Sequence, residues 1–316
     1  MTRRLPPALV IASLAVVWCR VGDADAAAPV WPPAAGGAEA YVSHDTEGFS
    51  TYRATLDLLP EFRNGDALTA LRYTYTAYAQ HDWRREGQQL AFLKRAIDPA
   101  TANGWQLNAG VSEQGDHTML ALDGGYRRAL TSKTALELFV DRQWVETQPA
   151  LDRGVHGTFV GASMDQGLSD HWTLVGLVGE QEFSDGNHRE HFRGKVIYQP
   201  SLDSGLTLQL RYRAFRSTDG AVVRSYFDPR RYDETMLAVG WRKRLRGWTL
   251  RLAAGTGEQH VDAASGTRTR LLEFGLESPY RGNRFVRLRG GHTQSASDFG
   301  PTYAYTYLQG EWIARF

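Results

Sequence analysis

Tyr307-Leu308-Gln309-Gly310-Glu311-Trp312-Ile313-Ala314-Arg315-Phe316 closes the chain with apolar residues at alternate positions up to a final Phe. Leu308, Trp312, Ala314 and Phe316 share one parity, with Gln309, Glu311 and Arg315 on the other. Successive side chains of an extended strand point to opposite faces, so this spacing predicts a strand with one apolar and one polar side. The same texture runs back through the chain. Leu206, Leu208, Leu210, Tyr212 and Ala214 oppose Thr207, Gln209, Arg211 and Arg213, and Trp248, Leu250, Leu252 and Ala254 oppose Thr249, Arg251 and Ala253. Leu136, Leu138 and Val140 face away from Glu137, and Leu71, Tyr73, Tyr75 and Ala77 face away from Arg72, Thr74 and Thr76. From about Gly37 onward, stretches of roughly ten residues end in clusters of Gly, Asp, Ser, Asn and Pro, with no linker and no second domain.

Composition narrows the class. The 316 residues contain 32 Gly and 11% aromatic residues, which is more ring surface than a disordered chain carries. No run of 18 apolar residues occurs, which excludes a helical membrane span. Arg3 and Arg4, the apolar run Ala8 to Trp18, and Ala24-Asp25-Ala26 predict a cleaved signal peptide over 1–26. Residues 27–36 then form a short periplasmic lead-in and 37–316 the barrel described below. Cys19 leaves with the signal. Acidic and basic residues are in near balance, which argues against a nucleic-acid partner.

Alternation alone fits a soluble sandwich as well as a membrane barrel. Three features favour the barrel. Every second connection is short, as at Leu130 to Lys133, Gly167 to Asp170 and Arg244 to Gly247, whereas Ser217 to Arg230, Gln259 to Thr267 and His292 to Thr302 predict long loops. Trp83, Trp105, Trp144, Trp172, Trp241, Trp248 and Trp312 fall near strand ends, where interfacial girdles sit. The terminal segment, with Trp312 and Phe316, resembles the C-terminal signature of outer-membrane proteins that the barrel-assembly machinery reads. The expected fold is all-β: a transmembrane antiparallel up-and-down β-barrel of 16 strands, placed near 37–43, 48–59, 68–80, 86–97, 104–112, 117–129, 134–145, 154–165, 172–183, 188–199, 206–216, 231–243, 248–258, 267–277, 284–291 and 303–316. Such a barrel sits in outer-membrane lipid and is wide enough for a water-filled lumen.

Ser225-Tyr226-Phe227-Asp228-Pro229-Arg230-Arg231-Tyr232, followed by Leu237-Ala238-Val239-Gly240-Trp241-Arg242, resembles a segment in the barrels of exopolysaccharide export porins, the outer-membrane subunits of poly-N-acetylglucosamine and cellulose secretion. The resemblance implies a secreted polysaccharide as substrate. Those proteins carry a long helical-repeat domain ahead of the barrel, and here a short lead-in is expected, so a separate periplasmic export partner is implied.

Parity assigns Arg72, Asp123, Glu137, Asp141, Arg211, Arg213, Glu234, Arg242, Arg251, Glu273, Arg287, Arg289 and Glu311 to the lumen. These charges either pair across the wall or offer a passing sugar chain many weak hydrogen bonds. Their balance predicts poor ion selectivity. Tyr226, Phe227 and Tyr232 are either part of a turn that launches a strand or sugar-stacking surfaces of an extracellular loop that gates the mouth. Catalysis lacks a constellation. His188 and His191 fall on opposite strand faces, as do His156 and Ser163, and no metalloprotease or hydrolase motif occurs. No cofactor or metal is expected. The function expected is passive passage of a secreted polysaccharide, with a general small-solute porin or a receptor or structural barrel as the alternatives.

Overall fold

A computed structural model describes residues 34–218, 225–279, 284–297 and 300–316. The expected signal peptide and most of the lead-in lie outside the described residues. Sixteen antiparallel strands run in sequence order, each bonded to its neighbours, and β1 closes on β16. They are β1 Ala35–Asp45, β2 Phe49–Asn64, β3 Ala67–Gln80, β4 Trp83–Ile97, β5 Gly104–Gln114, β6 His117–Ala129, β7 Thr134–Trp144 and β8 His156–Gly167. The second half comprises β9 Trp172–Phe183, β10 His188–Tyr198, β11 Leu206–Ser217, β12 Arg231–Leu245, β13 Trp248–Val261, β14 Thr267–Glu277, β15 Arg284–Ser297 and β16 Gly300–Arg315. Closure pairs Ala35 with Arg315 and Asp45 with Tyr305, which leaves the sheet without a free edge.

Every predicted strand is present. Boundaries differ where the chain breaks the alternation without leaving the sheet. Pro60 lacks an N–H, and β2 absorbs it through register shifts between Leu58 and Glu61 and between Phe62 and Asn64, so the strand continues to Asn64. Of the three expected long loops, His292 to Thr302 is largely strand and Gln259 to Thr267 is shortened to residues 262–266. Gln259 lies within β13, which runs to Val261, and β15 and β16 extend to Ser297 and from Gly300. The length asymmetry therefore rests on the β7–β8 and β11–β12 connections, both at the end opposite the termini. At the other end, Arg246 and Gly247, both at positive φ, make the tight β12–β13 turn, a conformation glycine adopts at no steric cost.

The outer face is apolar. Leu56, Leu58, Leu71, Leu90, Leu120, Leu138, Val160, Val178, Leu210, Leu237 and Leu272 are exposed around the barrel. For a soluble protein such a continuous belt would be an aggregation surface, whereas lipid solvates it. Trp105, Trp172, Trp241, Trp248 and Trp312 ring the end that holds both termini, and Trp105, Trp172, Trp248 and Trp312 are exposed. Trp83 and Trp144 were expected in a girdle but turn inward. Trp144 is buried and donates to Ser112 Oγ at 2.9 Å, and Trp83 packs on the same inner cluster. In a barrel with an even strand number both termini face the periplasm, which makes the opposite end the extracellular mouth.

Candidate functional site: the lumen and its cap

Register fixes which side chains face inward. Buried Thr51, Thr55, Thr74, Thr76 and Ser112 share the inner parity with Glu39, Arg53 and Arg72, and cross-strand pairing carries that parity around the barrel. On it stand Arg72, Asp123, Glu137, Asp141, Arg211, Arg213, Glu234, Arg242, Arg251, Glu273, Arg287, Arg289 and Glu311. Several are paired along the wall. Arg72 donates twice to Asp57, both at 2.8 Å, and Arg287 donates to Glu311 at 2.8 Å. Arg251 reaches Glu277 at 3.2 Å, Arg213 bonds Glu234, and Arg127 bridges Asp165 at 2.6 Å and Glu137 at 3.7 Å. Asp123, Asp141, Arg211 and Arg289 have no ion pair among the described residues.

The charges balance in number but not in place. Asp123 and Asp141 sit opposite each other on β6 and β7, lining a cavity of about 240 Å³ in which Glu39, Glu113 and Glu146 are mixed with Arg53, Arg72 and Arg142. Arg193, Lys195, Arg211 and Arg213 crowd β10 and β11, lining a second cavity of about 500 Å³. Sequence counting missed this uneven placement because it gives totals, and only register shows which charges are neighbours.

Apolar groups also face inward, contrary to a lumen lined only by the polar set. Near the periplasmic end Leu59, Phe62, Leu68, Leu93, Phe285 and Ile313 form a buried cluster. Higher up, rings follow one another from strand to strand. Phe139 and Phe159 are 5.1 Å apart, Phe159 and His191 4.8 Å, His191 and Phe215 5.5 Å, and Phe215 stacks on Tyr232 at 4.8 Å. This arc spans β7 to β12 along the inner wall.

A cap lies across the mouth. The β7–β8 connection holds a short helix, α1 Gln148–Asp152, which the sequence pattern gave no sign of. Thr147 caps its N-terminus by accepting from the Ala150 N–H, and Ala150 and Leu151 are fully buried. Glu146 reaches across to strands five and four places from β7 along the ring, accepting from Arg53 at 2.6 Å on β2 and from the Tyr78 hydroxyl at 3.3 Å on β3. Asp152 accepts from Trp83 at 3.0 Å and Arg85 at 3.2 Å on β4. On the other side the Thr147 hydroxyl donates to the Ser225 carbonyl, and Arg153 donates to Ser225 Oγ at 2.6 Å.

Tyr226, Phe227 and Tyr232 belong to this assembly and are not free stacking platforms. Tyr232 lies on β12, not in the loop, and is 2% exposed between Phe215, Arg213 and Gln259. Tyr226 is buried against Phe183, with centroids 4.5 Å apart and planes 17° from parallel. Burial pushes the Tyr226 phenol above the ordinary tyrosine range, so it stays protonated and donates to Asp185 at 3.1 Å while accepting from Asn187. Phe227 is half-buried and holds Arg189 through its carbonyl at 2.7 Å. Between cap and wall a cavity of about 570 Å³ remains, lined by Phe215, Phe227, Tyr232, Tyr303 and Phe49. Among the described residues no cluster of His, Cys, Asp or Glu is arranged to hold a metal ion.

No family model matches the chain, and no curated protein matches it. Solved structures do. A bacterial polysaccharide outer membrane secretin aligns over 91% of this chain and 100% of its own, with a TM-score of 0.66 and 10% sequence identity. OccK5 (OpdH) of Pseudomonas aeruginosa covers 90% of this chain and 98% of its own at 11% identity and a TM-score of 0.45, and CdiB of Acinetobacter baumannii 89% and 60% at 9% identity and a TM-score of 0.49. The first likeness shows the fold: this chain is a 16-stranded barrel of the bacterial outer-membrane kind.

Proposed function

We propose that this barrel is an outer-membrane porin through which a secreted polysaccharide leaves the cell, guided passively by the inner wall while energy is supplied elsewhere. The observation that carries the reading is the match to the polysaccharide secretin over that protein's whole length, joined to a lumen that keeps two cavities lined by charged groups and an aromatic-lined one under its cap. The lining groups outside the ion pairs along the wall, among them Asp123, Asp141, Arg211, Arg242, Glu273 and Arg289, can hydrogen-bond a sugar chain, and the wall-paired arginines set the channel's shape. Many weak contacts suit a sliding polymer, since each must be left as readily as it is made. In this reading Phe316, 78% exposed, and Trp312 at the barrel end serve the assembly machinery, and a separate periplasmic protein delivers the polymer.

The test is deletion of the gene with surface and periplasmic polysaccharide quantified against the parent. Loss at the surface with accumulation inside is expected. Unchanged surface polymer overturns export and leaves a small-solute porin, to be measured by single-channel conductance.

A further inference from the structure

The inner faces of β10 and β11 carry an arrangement that costs stability as it stands. Arg193 is directly opposite Arg213, and Lys195 directly opposite Arg211, in the antiparallel register. Side chains so paired have Cβ atoms about 5 Å apart, and like charges at that spacing repel. Neighbouring strands give little relief. On the β9 side the partners of Arg193 and Lys195 are Leu177 and Val175, and on the β12 side Arg211 meets Met236. Glu234, bonded to Arg213, is the carboxylate on a directly adjacent strand, Glu273 on β14 acts on Lys195 from farther off, and Arg211 donates to the neutral Gln209 at 2.9 Å. Asp165, two strands away, is held by Arg127. Arg193 and Arg213 are exposed into the cavity of about 500 Å³ that all four cations line.

Immediately above, toward the mouth, lie the rings of His191, Phe215 and Tyr232, in register with one another across β10, β11 and β12. The cavity under the cap shares Arg213 with the cation-lined one, so ring faces and cations border neighbouring spaces. Aromatic faces stack on the apolar faces of pyranose rings, and guanidinium and ammonium groups bind oxyanions through charge-assisted hydrogen bonds.

We propose that the inner wall at Arg193, Lys195, Arg211 and Arg213 is a binding track for an anionic saccharide, one whose sugars bear carboxylate or phosphate groups. Along β10 the two cations repeat about every 7 Å, a strand's two-residue rise, so successive acid groups meet successive cations. The ligand's charge relieves the repulsion that the empty wall retains. This inference rests on the export reading for its physiological polymer, but its test does not require export.

Purified, folded barrel in detergent is titrated by equilibrium dialysis with four probes: an oligogalacturonate, a phosphorylated oligomannoside, neutral cellohexaose and a cationic chitosan oligomer. Binding of the oligogalacturonate, of the phosphorylated probe, or of both is expected, weakening as salt rises. Which of the two binds more tightly identifies the acid group. The combined variant Arg193→Gln, Lys195→Gln, Arg211→Gln should weaken that binding about tenfold or more. Because it removes repulsion, it should melt no lower than the parent, a response that a merely structural role for these cations would not give. Glu234→Gln frees Arg213 and should tighten binding, which keeps the test decisive if the combined variant does not fold. Equal or tighter binding of cellohexaose or chitosan, or anionic binding unchanged in the variants, overturns the proposal. A deletion strain with normal surface polymer, by contrast, would remove export and leave the site standing.

Discussion

Gly161 shows how single residues shape this lumen. A Cβ there would lie 2.5 Å from Phe139 Cζ and 2.5 Å from the Val178 carbonyl oxygen. Gly179 on the next strand is covered in the same way by Phe159, whose Cε2 would be 2.7 Å from a Cβ. Each ring thus lies over the glycine of the following strand, and the aromatic arc climbs around the wall with no side chain beneath it. Replacing Gly161 by Val forces Phe139 out of place against backbone that has no room to move. The expected cost is about 1–3 kcal/mol, the range for overpacking a filled interior. It is read as a lower temperature for the heat-induced mobility shift of the folded barrel on gels, with Gly176→Ala, where a Cβ meets nothing within 4 Å, as the variant expected to match the parent. The sequence contains both the glycines and the rings, but their meeting is invisible there. It depends on cross-strand register, which alternation does not specify.

At the level of elements, the strands and the cap differ in how far sequence reveals them. A strand of this barrel needs only a period of two, and lipid on one side and water on the other enforce that period over every crossing. All sixteen were therefore legible, and the ends that slipped did so at Pro60 and at the hairpins beyond Gln259 and His292, where pairing outlasts the pattern. The cap had no such signature. Helix α1 is too short to show a helical period, and its buried residues, Ala150 and Leu151, find their partners on remote strands. Its ion pair to β2 is weak by itself, since Arg53 and Glu146 are each about one-third exposed and pairs of that kind contribute about 0–1 kcal/mol. That pair, the cap's other hydrogen bonds and the burial of Ala150 and Leu151 hold the cap by side chains, outside the strand-to-strand pairing, so the cap can be cut out without unfolding the barrel. Replacing residues 146–153 by a short turn should leave folding and gel mobility intact and raise single-channel conductance severalfold. Unchanged conductance would mean that the cap does not obstruct the mouth.

On the scale of the whole molecule, the near-zero net charge conceals an uneven lining, with a cluster of cations on β10 and β11. Carboxylates Asp123 and Asp141 face the lumen from β6 and β7, and the cations of β10 and β11 face it from farther along the same wall. An ion crossing the barrel meets both, and at physiological salt each set is felt only over about 8 Å. Permeation should therefore divide into two paths of opposite preference, with small net selectivity in the parent. The two sets are separable by substitution. Arg193→Gln with Lys195→Gln and Arg211→Gln should move the reversal potential in a KCl gradient toward cation selectivity, and Asp123→Asn with Asp141→Asn should move it toward anion selectivity. A uniformly mixed lining predicts the same two shifts but no dependence on the size of the ion. Segregated paths predict that a bulky anion, too large to avoid the wall, loses far more current than chloride when the β10 and β11 cations are removed. Equal losses for both anions would show that the lumen mixes its charges electrically, whatever their placement on the strands.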